Sequence, residues 1–219
     1  MVSIIIPAYN EAVRIAPVIR IAKQHKDVVE VLVIDDGSTD GTAEIAKDAG
    51  AIVFRQPQNR GKAEAMDVGV AQAQFEYILF LDADIYGVDL ETLEQMIRPV
   101  LTQKCSMFVA LRSRKIALLN TLIHYMPIIG GERCLTKTLW YQVPQKYRKG
   151  FQIEIALNYF AKQTPFKMKH ELAHSKKMNH FSKETKRGFF RGFWARISMI
   201  GEILWISFRL YVLKTIFNV

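Results

Sequence analysis

The chain is short of several things, and each shortage excludes a class. Only two of its 219 residues are cysteine, Cys105 and Cys134. Two thiols make no disulfide framework, and their spacing suits no metal site, so both are expected to be reduced. No apolar stretch reaches the roughly 18 residues that a membrane-spanning helix needs, because Glu202 and Arg209 interrupt the C-terminal run. The opening residues carry no basic lead, so no secretory signal is expected. Nothing repeats at a fixed period. Acid is scarce in the second half: residues 100–219 hold 5 Asp/Glu against 21 Lys/Arg, whereas residues 1–99 hold 16 against 9. A basic half should face something anionic, such as a phosphorylated acceptor or a membrane surface. It lacks the aromatic-interleaved basic motif of RNA-binding modules, so nucleic acid is not expected.

What is present is a hydrophobic half-share of the composition, enough for a real core in one large domain or in a domain with an appendage. Val2 to Ile6, ended by Pro7, reads as a first buried strand. Asn10 is placed to cap a helix from Glu11, with Val13, Ile15, Val18, Ile19 and Ile21 on one apolar face. Val29 to Ile34 is a second strand, Thr42 to Lys47 a helix, Ala51 to Phe54 a third strand, and Asn59 to Lys62 a turn opening a helix to about Gln74. Tyr77 to Leu81 is a strand covered on both faces. Leu90 to Leu101 is a helix capped by Asp89, and Ser106 to Leu111 a strand running into basic Arg112 to Lys115. The apolar run Ile116 to Ile129 is expected to be a helix over the site or against lipid. Gly130 to Arg133 reads as a turn, Phe151 to Lys162 as a helix, and Phe166 to Ala173 as an edge strand. Strands alternating with helices predict an α/β, mostly parallel sheet with right-handed crossovers.

Ligands of such sheets collect at the carboxyl ends of the strands. The Tyr77 strand ends in Asp82-Ala83-Asp84, two carboxylates suited to Mg²⁺ or Mn²⁺ shared with substrate phosphates, or to a solvated turn. Asp35 to Gly41 starts like a calcium loop, but Lys47 stands where a bidentate Glu is required. A loop with Asp36 free to bond a base or ribose is the better reading. Lys62, after Gly61 at a helix start, suits a diphosphate, although the segment is no Walker loop. Glu154, in apolar company behind Gly150, fits a general base or a first-turn Glu serving the helix dipole. Of His170, His174 and His180, one completing the Asp84 site is plausible chemistry, and three are not.

Four motifs in order, Pro7-Ala-Tyr-Asn-Glu11, Asp35-Asp-Gly-Ser-Thr-Asp-Gly41, Asn59-Arg-Gly-Lys62 and Asp82-Ala-Asp84, resemble the nucleotide-sugar glycosyltransferases of the GT-A fold, family 2. The resemblance implies that Pro7, Ala8, Tyr9, Glu11 and Asp36 line a nucleotide pocket, with Lys62, Asp82 and Ala83 near base, ribose or diphosphate. Asp84, with Asp82, would hold the divalent cation. Gly130 to Arg133, Gly150 to Leu157 and His180 resemble the glucosyl-3-phosphoglycerate synthases, which implies His180 over His174 as the third metal ligand. Family 2 inverts the sugar with a carboxylate base and the synthases retain it. Glu154, paired with Asp84 as catalytic residue, is accordingly base or positioner. A nucleotidyltransferase is the less apt alternative, having a different phosphate loop, and a non-catalytic nucleotide-sugar-binding module is a second.

The expected domains are a transferase body over 1–182, split at about residue 100 into donor and acceptor halves, and a basic, aromatic-rich helical tail over 183–219. The tail reads either as an interfacial helix or as one packed on the body or a second subunit. The expected partners are a UDP- or GDP-sugar and a lipid phosphate or small phosphorylated acceptor, at the cytoplasmic face of a membrane or in the cytosol, with a homodimer possible.

Overall fold

Alternating apolar side chains organise the molecule around one strand. The computed structural model describes residues 1–111, 132–150, 152–175, 177–180, 201 and 205–210. Arg112 to Lys115, the apolar run Ile116 to Ile129, Gly130, Gly131 and most of the tail lie outside these residues. In chain order the elements are β1 (Val2–Ala8), α1 (Ile15–Lys23), β2 (Val28–Asp35), α2 (Thr42–Asp48), β3 (Ile52–Arg55), α3 (Lys62–Gln72), β4 (Tyr77–Phe80), β5 (Ile85–Tyr86) and α4 (Leu90–Leu101). There follow β6 (Met107–Leu111), β7 (Arg133–Thr136), α5 (Lys137–Gln142), a 3₁₀ turn (Gln145–Tyr147), α6 (Gln152–Gln163), β8 (Met168–Leu172) and β9 (Asn179–His180).

Seven strands form one sheet in the order β3-β2-β1-β4-β7-β6-β8. β1 lies parallel to β2 and β4, β2 to β3, and β6 to β8, while β7 runs antiparallel to both β4 and β6. All strands but β7 therefore point the same way and share one carboxyl edge. β5 and β9 form a separate antiparallel pair.

Successive residues of a strand face opposite sides. Ile5 joins Leu32, Ile34 and Phe80 under α3, α5 and α6, whereas Ile4 and Ile6 join Val31 and Val33 under α1, α2 and α4. Ile4, Ile5 and Ile6 are each 0 % exposed. Burial on that scale contributes about 1.5–3 kcal/mol per side chain. Gly69 lets α3 lie close on β1, since a Cβ there would run into the Ile5 side chain. Ile206 and Leu210, in the helical residues 205–210, belong to the same core layer as Trp140, Tyr147 and Ile153. That part of the tail packs on the body.

Two local expectations are corrected. Asn10 does not cap α1: it adopts φ 54°, and the helix begins only at Ile15 behind Arg14. The reason is a competing set of partners. The backbone N–H groups of Asn10, Glu11 and Ala12 donate to Ser38 Oγ, Thr42 Oγ1 and Asp40 Oδ2, at 2.9, 2.9 and 3.2 Å. The loop after β1 is thus bonded to the loop after β2, and Val13, expected on the buried face, is 91 % exposed. Secondly, Arg133 belongs to no turn but opens β7, opposite Phe80 of β4 and Val109 of β6.

Candidate functional site

The parallel strands leave their carboxyl ends together, and the loops that follow β1, β2 and β4 carry the residues singled out by sequence. Pro7 and Ala8 close β1, and Tyr9 beyond them is 45 % exposed, an accessible aromatic face. Glu11 holds Arg14 Nη1 at 2.8 Å.

Asp36 differs from expectation. Its carboxylate is not free but accepts from the backbone N–H of Arg60 at 2.8 Å and of Gly61 at 2.7 Å, and from Gln56 Nε2 at 3.1 Å. It ties the β2 loop to the turn that opens α3. That junction needs Gly37, which has φ 75° and where a Cβ would lie 2.8 Å from the backbone of Gln58. Asp40, read as part of a failed calcium loop, bonds the Thr42 hydroxyl and the N–H groups of Thr42 and Ala12. Although burial raises its pKa, those bonds outweigh it and hold the carboxyl below its ordinary value.

By fixing Gly61, Asp36 places the start of α3, and Lys62 Nζ lies 2.5 Å from Asp82 Oδ1. Burial would favour the neutral amine, but 44 % of the Lys62 side chain remains exposed. Asp82 first, then Glu154 and Glu132, hold the ammonium above its ordinary range. Residues from before and after position 100 thus share one electrostatic neighbourhood. Ala83 and Asp84 are buried at 4 % and 7 % exposure.

The structure separates the two histidines. His180 pairs in register with Ile85, the residue after Asp84. His174 instead holds Glu91 at 3.0 Å and its side chain is 58 % exposed. His170 lies on β8.

Glu132 and Arg133, both 0 % exposed, join this cluster although their sequence reads as a turn. Arg133 Nη1 donates to the backbone oxygen of Glu154 at 3.3 Å. Burial presses its pKa below the ordinary value against the pull of Glu154, Glu132 and Asp82. One signal was available: in a half with only five acids, two of them, Glu132 and Glu154, converge here. Buried opposite charges are costly unless paired, which makes a buried cluster of this kind a candidate functional region. Glu154 Oε2 is buried with no hydrogen-bond partner among the described residues.

The oxygens of this cluster are of the chemical kind that a divalent cation takes. Asp82, Glu132 and Glu154 act on both Lys62 and Arg133 and offer hard oxygens, and Asp84 follows two residues after Asp82. Among the described residues, the group whose ligand atoms lie within 4.8 Å of one another is instead His25, Asp27 and Glu94. It lies before β2, away from the carboxyl edge. His25 Nδ1 accepts the N–H of Asp27 at 3.3 Å while Nε2 meets Glu94 at 2.9 Å. His25 thus already has a protein partner at each ring nitrogen.

The family model for Glycosyl transferase family 2 matches residues 3–168. An uncharacterized glycosyltransferase of Haemophilus influenzae is 32 % identical over 147 residues, covering 61 % of this chain and 58 % of that protein. A dolichyl-phosphate beta-glucosyltransferase of Trichomonas vaginalis is 34 % identical over 114 residues, covering 45 % of this chain and 34 % of its own length. The chain thus spans between a third and just over half of these relatives. Among solved structures, glucosyl-3-phosphoglycerate synthase of Mycobacterium tuberculosis, in complex with Mn²⁺, UDP-glucose and phosphoglyceric acid, superposes with a TM-score of 0.74. It is 22 % identical, with 94 % of this chain and 79 % of that one covered. At that identity the likeness speaks for the fold.

Proposed function

We propose that this chain, which belongs to glycosyl transferase family 2, transfers a sugar from a nucleoside-diphosphate donor to a hydroxyl or phosphate acceptor with the aid of a divalent cation. The observation that carries the reading is the Lys62–Asp82 pair, 2.5 Å apart at the carboxyl ends of the parallel strands, with Glu154 and Glu132 acting on the same ammonium. Exposed Tyr9 offers a stacking face for the base, and Asp36 holds the Gly61–Lys62 backbone in place to meet the diphosphate. As the bond at the anomeric carbon breaks, the Lys62 ammonium stabilises charge that grows on the leaving diphosphate. A bound Mg²⁺ or Mn²⁺, held by Asp84 and Asp82 with His180, would supply further stabilisation of that charge. Glu154 has an oxygen ready to accept a hydrogen bond from the acceptor. It removes the acceptor proton if the reaction inverts, and orients the acceptor or donor if it retains.

Two acceptor classes follow from what supports the reading. The dolichyl-phosphate relative favours a lipid-linked acceptor at a membrane surface, on the cytoplasmic side, where UDP- and GDP-sugars would be the donors. The structural neighbour bound to phosphoglyceric acid favours a soluble phosphorylated acid. The test is nucleoside-diphosphate release from UDP- and GDP-sugars with Mn²⁺, given a polyprenyl phosphate or a phosphoglycerate. Release dependent on one acceptor identifies the class. Tight donor binding with no release under any pairing would overturn transfer in favour of a binding module.

A further inference from the structure

We propose that the helical residues 205–210, together with the 3₁₀ turn before α6, form a face that rests on an anionic phospholipid bilayer. The helix has two unlike sides. Ile206 and Leu210, one turn apart, are 2 % and 0 % exposed and join the core beneath α6. Trp205 and Phe208 face the other way, 61 % and 48 % exposed, with ring centroids 6.5 Å apart and planes inclined by 30°. Exposing two large aromatics together is unfavourable in water and favourable at a membrane interface, where rings of this kind settle among the headgroups.

The charges beside them have no counterion among the described residues. Lys146 Nζ lies 5.1 Å and Arg209 Cζ 5.8 Å from the centroid of the Tyr147 ring, so two cations share one aromatic ring. Neither has a carboxylate partner among the described residues. Like charges gathered on one ring repel, and an external anion relieves that repulsion. The surrounding sequence is of the same sign, with seven Lys/Arg against two Glu in residues 183–219.

The pairing of cations with exposed aromatics selects the occupant. A soluble anion would engage Lys146 and Arg209 but leave Trp205 and Phe208 in water. A two-fold contact with a second copy would bring the same cations toward one another, since such an interface is self-complementary. An anionic bilayer meets both features, phosphates at the cations and the acyl boundary at the rings. The face is joined through one core layer to Ile153 and Leu157 of α6, the helix that bears Glu154. That it serves a lipid-borne acceptor rests on the transferase reading; the bilayer contact stands on its own geometry.

The experiment is sedimentation of the full chain with vesicles of phosphatidylcholine alone and of phosphatidylcholine mixed with phosphatidylglycerol, at low and high salt. Binding is expected on the anionic vesicles and weakened by salt, because the screening length falls to about 3 Å at 1 M. Removing both rings in W205S/F208S should lower partitioning about tenfold or more, as expected for apolar area withdrawn from an interface. Removing both cations in K146S/R209S should lower it similarly on anionic vesicles alone. Thermal unfolding of both variants should match the parent, because these side chains are outside the core. No binding to anionic vesicles by the parent would overturn the proposal. So would binding that both variants retain. A concentration-dependent dimer abolished by W205S/F208S, without vesicle binding, would overturn it in favour of self-association. These outcomes are read without any sugar donor, so they stay distinct from failure of the transferase assay.

Discussion

Lys62 Nζ and Asp82 Oδ1 lie 2.5 Å apart and join the first residue of α3 to the loop beyond β4. The contact holds an ammonium at the strand ends without neutralising it, with Glu132 and Glu154 adding to its stabilisation. Lys62→Met should therefore weaken UDP binding and lower turnover by about 10²–10³-fold, the range for removing a donor aimed at developing charge. Calorimetric titration with UDP and steady-state rates check it. Unchanged rates would reduce Lys62 to a partner of Asp82.

Asp36 supports that lysine from behind. Asp36→Asn replaces one acceptor oxygen with a donor that must face the N–H of Gly61 or Arg60. The buried mismatch should cost about 1–3 kcal/mol of stability. UDP affinity should fall with it, because Lys62 loses its fixed starting point. Denaturant unfolding and UDP titration on the same preparation separate the two effects.

Glu154→Gln keeps shape and removes charge. Turnover should fall about 10²–10⁴-fold while UDP affinity stays near the parent value, as for a group that acts in the transition state. A variant with full kcat would leave Glu154 as a residue of the first turn of α6. The anomeric configuration of the product, read by NMR, separately decides between inversion and retention.

Asp89 gives a prediction about stability and pH. It caps α4, accepting from Thr92 N at 2.8 Å and Thr92 Oγ1 at 2.6 Å. Burial raises its pKa, but the Thr92 bonds and the nearby His174 hold it below the ordinary value. A carboxyl depressed by folding contributes stability that is complete above its unfolded pKa and is lost as pH falls through the folded one. Asp89→Ala should cost about 1 kcal/mol at neutral pH. The gap between parent and variant should narrow as pH drops below about 4, the unfolded range for Asp. Urea unfolding at several pH values measures it.

The parts of the fold that sequence reveals are those where local pattern and environment agree. Tyr77 to Leu81 is apolar throughout because both of its faces are covered, and the carboxylates that follow mark the strand end. The same holds for Asp35 to Gly41, where Gly37 sits at a backbone-to-backbone contact that only glycine fits. Asn10 misleads for the opposite reason. Its sequence offers a cap, but Ser38, Asp40 and Thr42, some thirty residues away, take the N–H groups that a cap would have organised. β7 is short and begins with a charged residue that ordinarily marks a turn; only its insertion between β4 and β6 makes it a central strand. The role of Arg133 follows from that insertion, so no local pattern announces it. His180 and His174 are alike in sequence, and the β5–β9 register tells them apart, setting His180 opposite Ile85, the residue after Asp84.

The most direct test of a cation-dependent donor site is calorimetric titration of UDP into the parent and into Asp84→Asn, each with and without Mn²⁺. Asp84 is 7 % exposed at the strand end, outside the apolar core, so the variant should fold. The parent should bind UDP far more tightly with Mn²⁺ than without, and Asp84→Asn should lose that difference while keeping its cation-independent affinity. Equal Mn²⁺-dependent binding by the two proteins would contradict the assignment of the site.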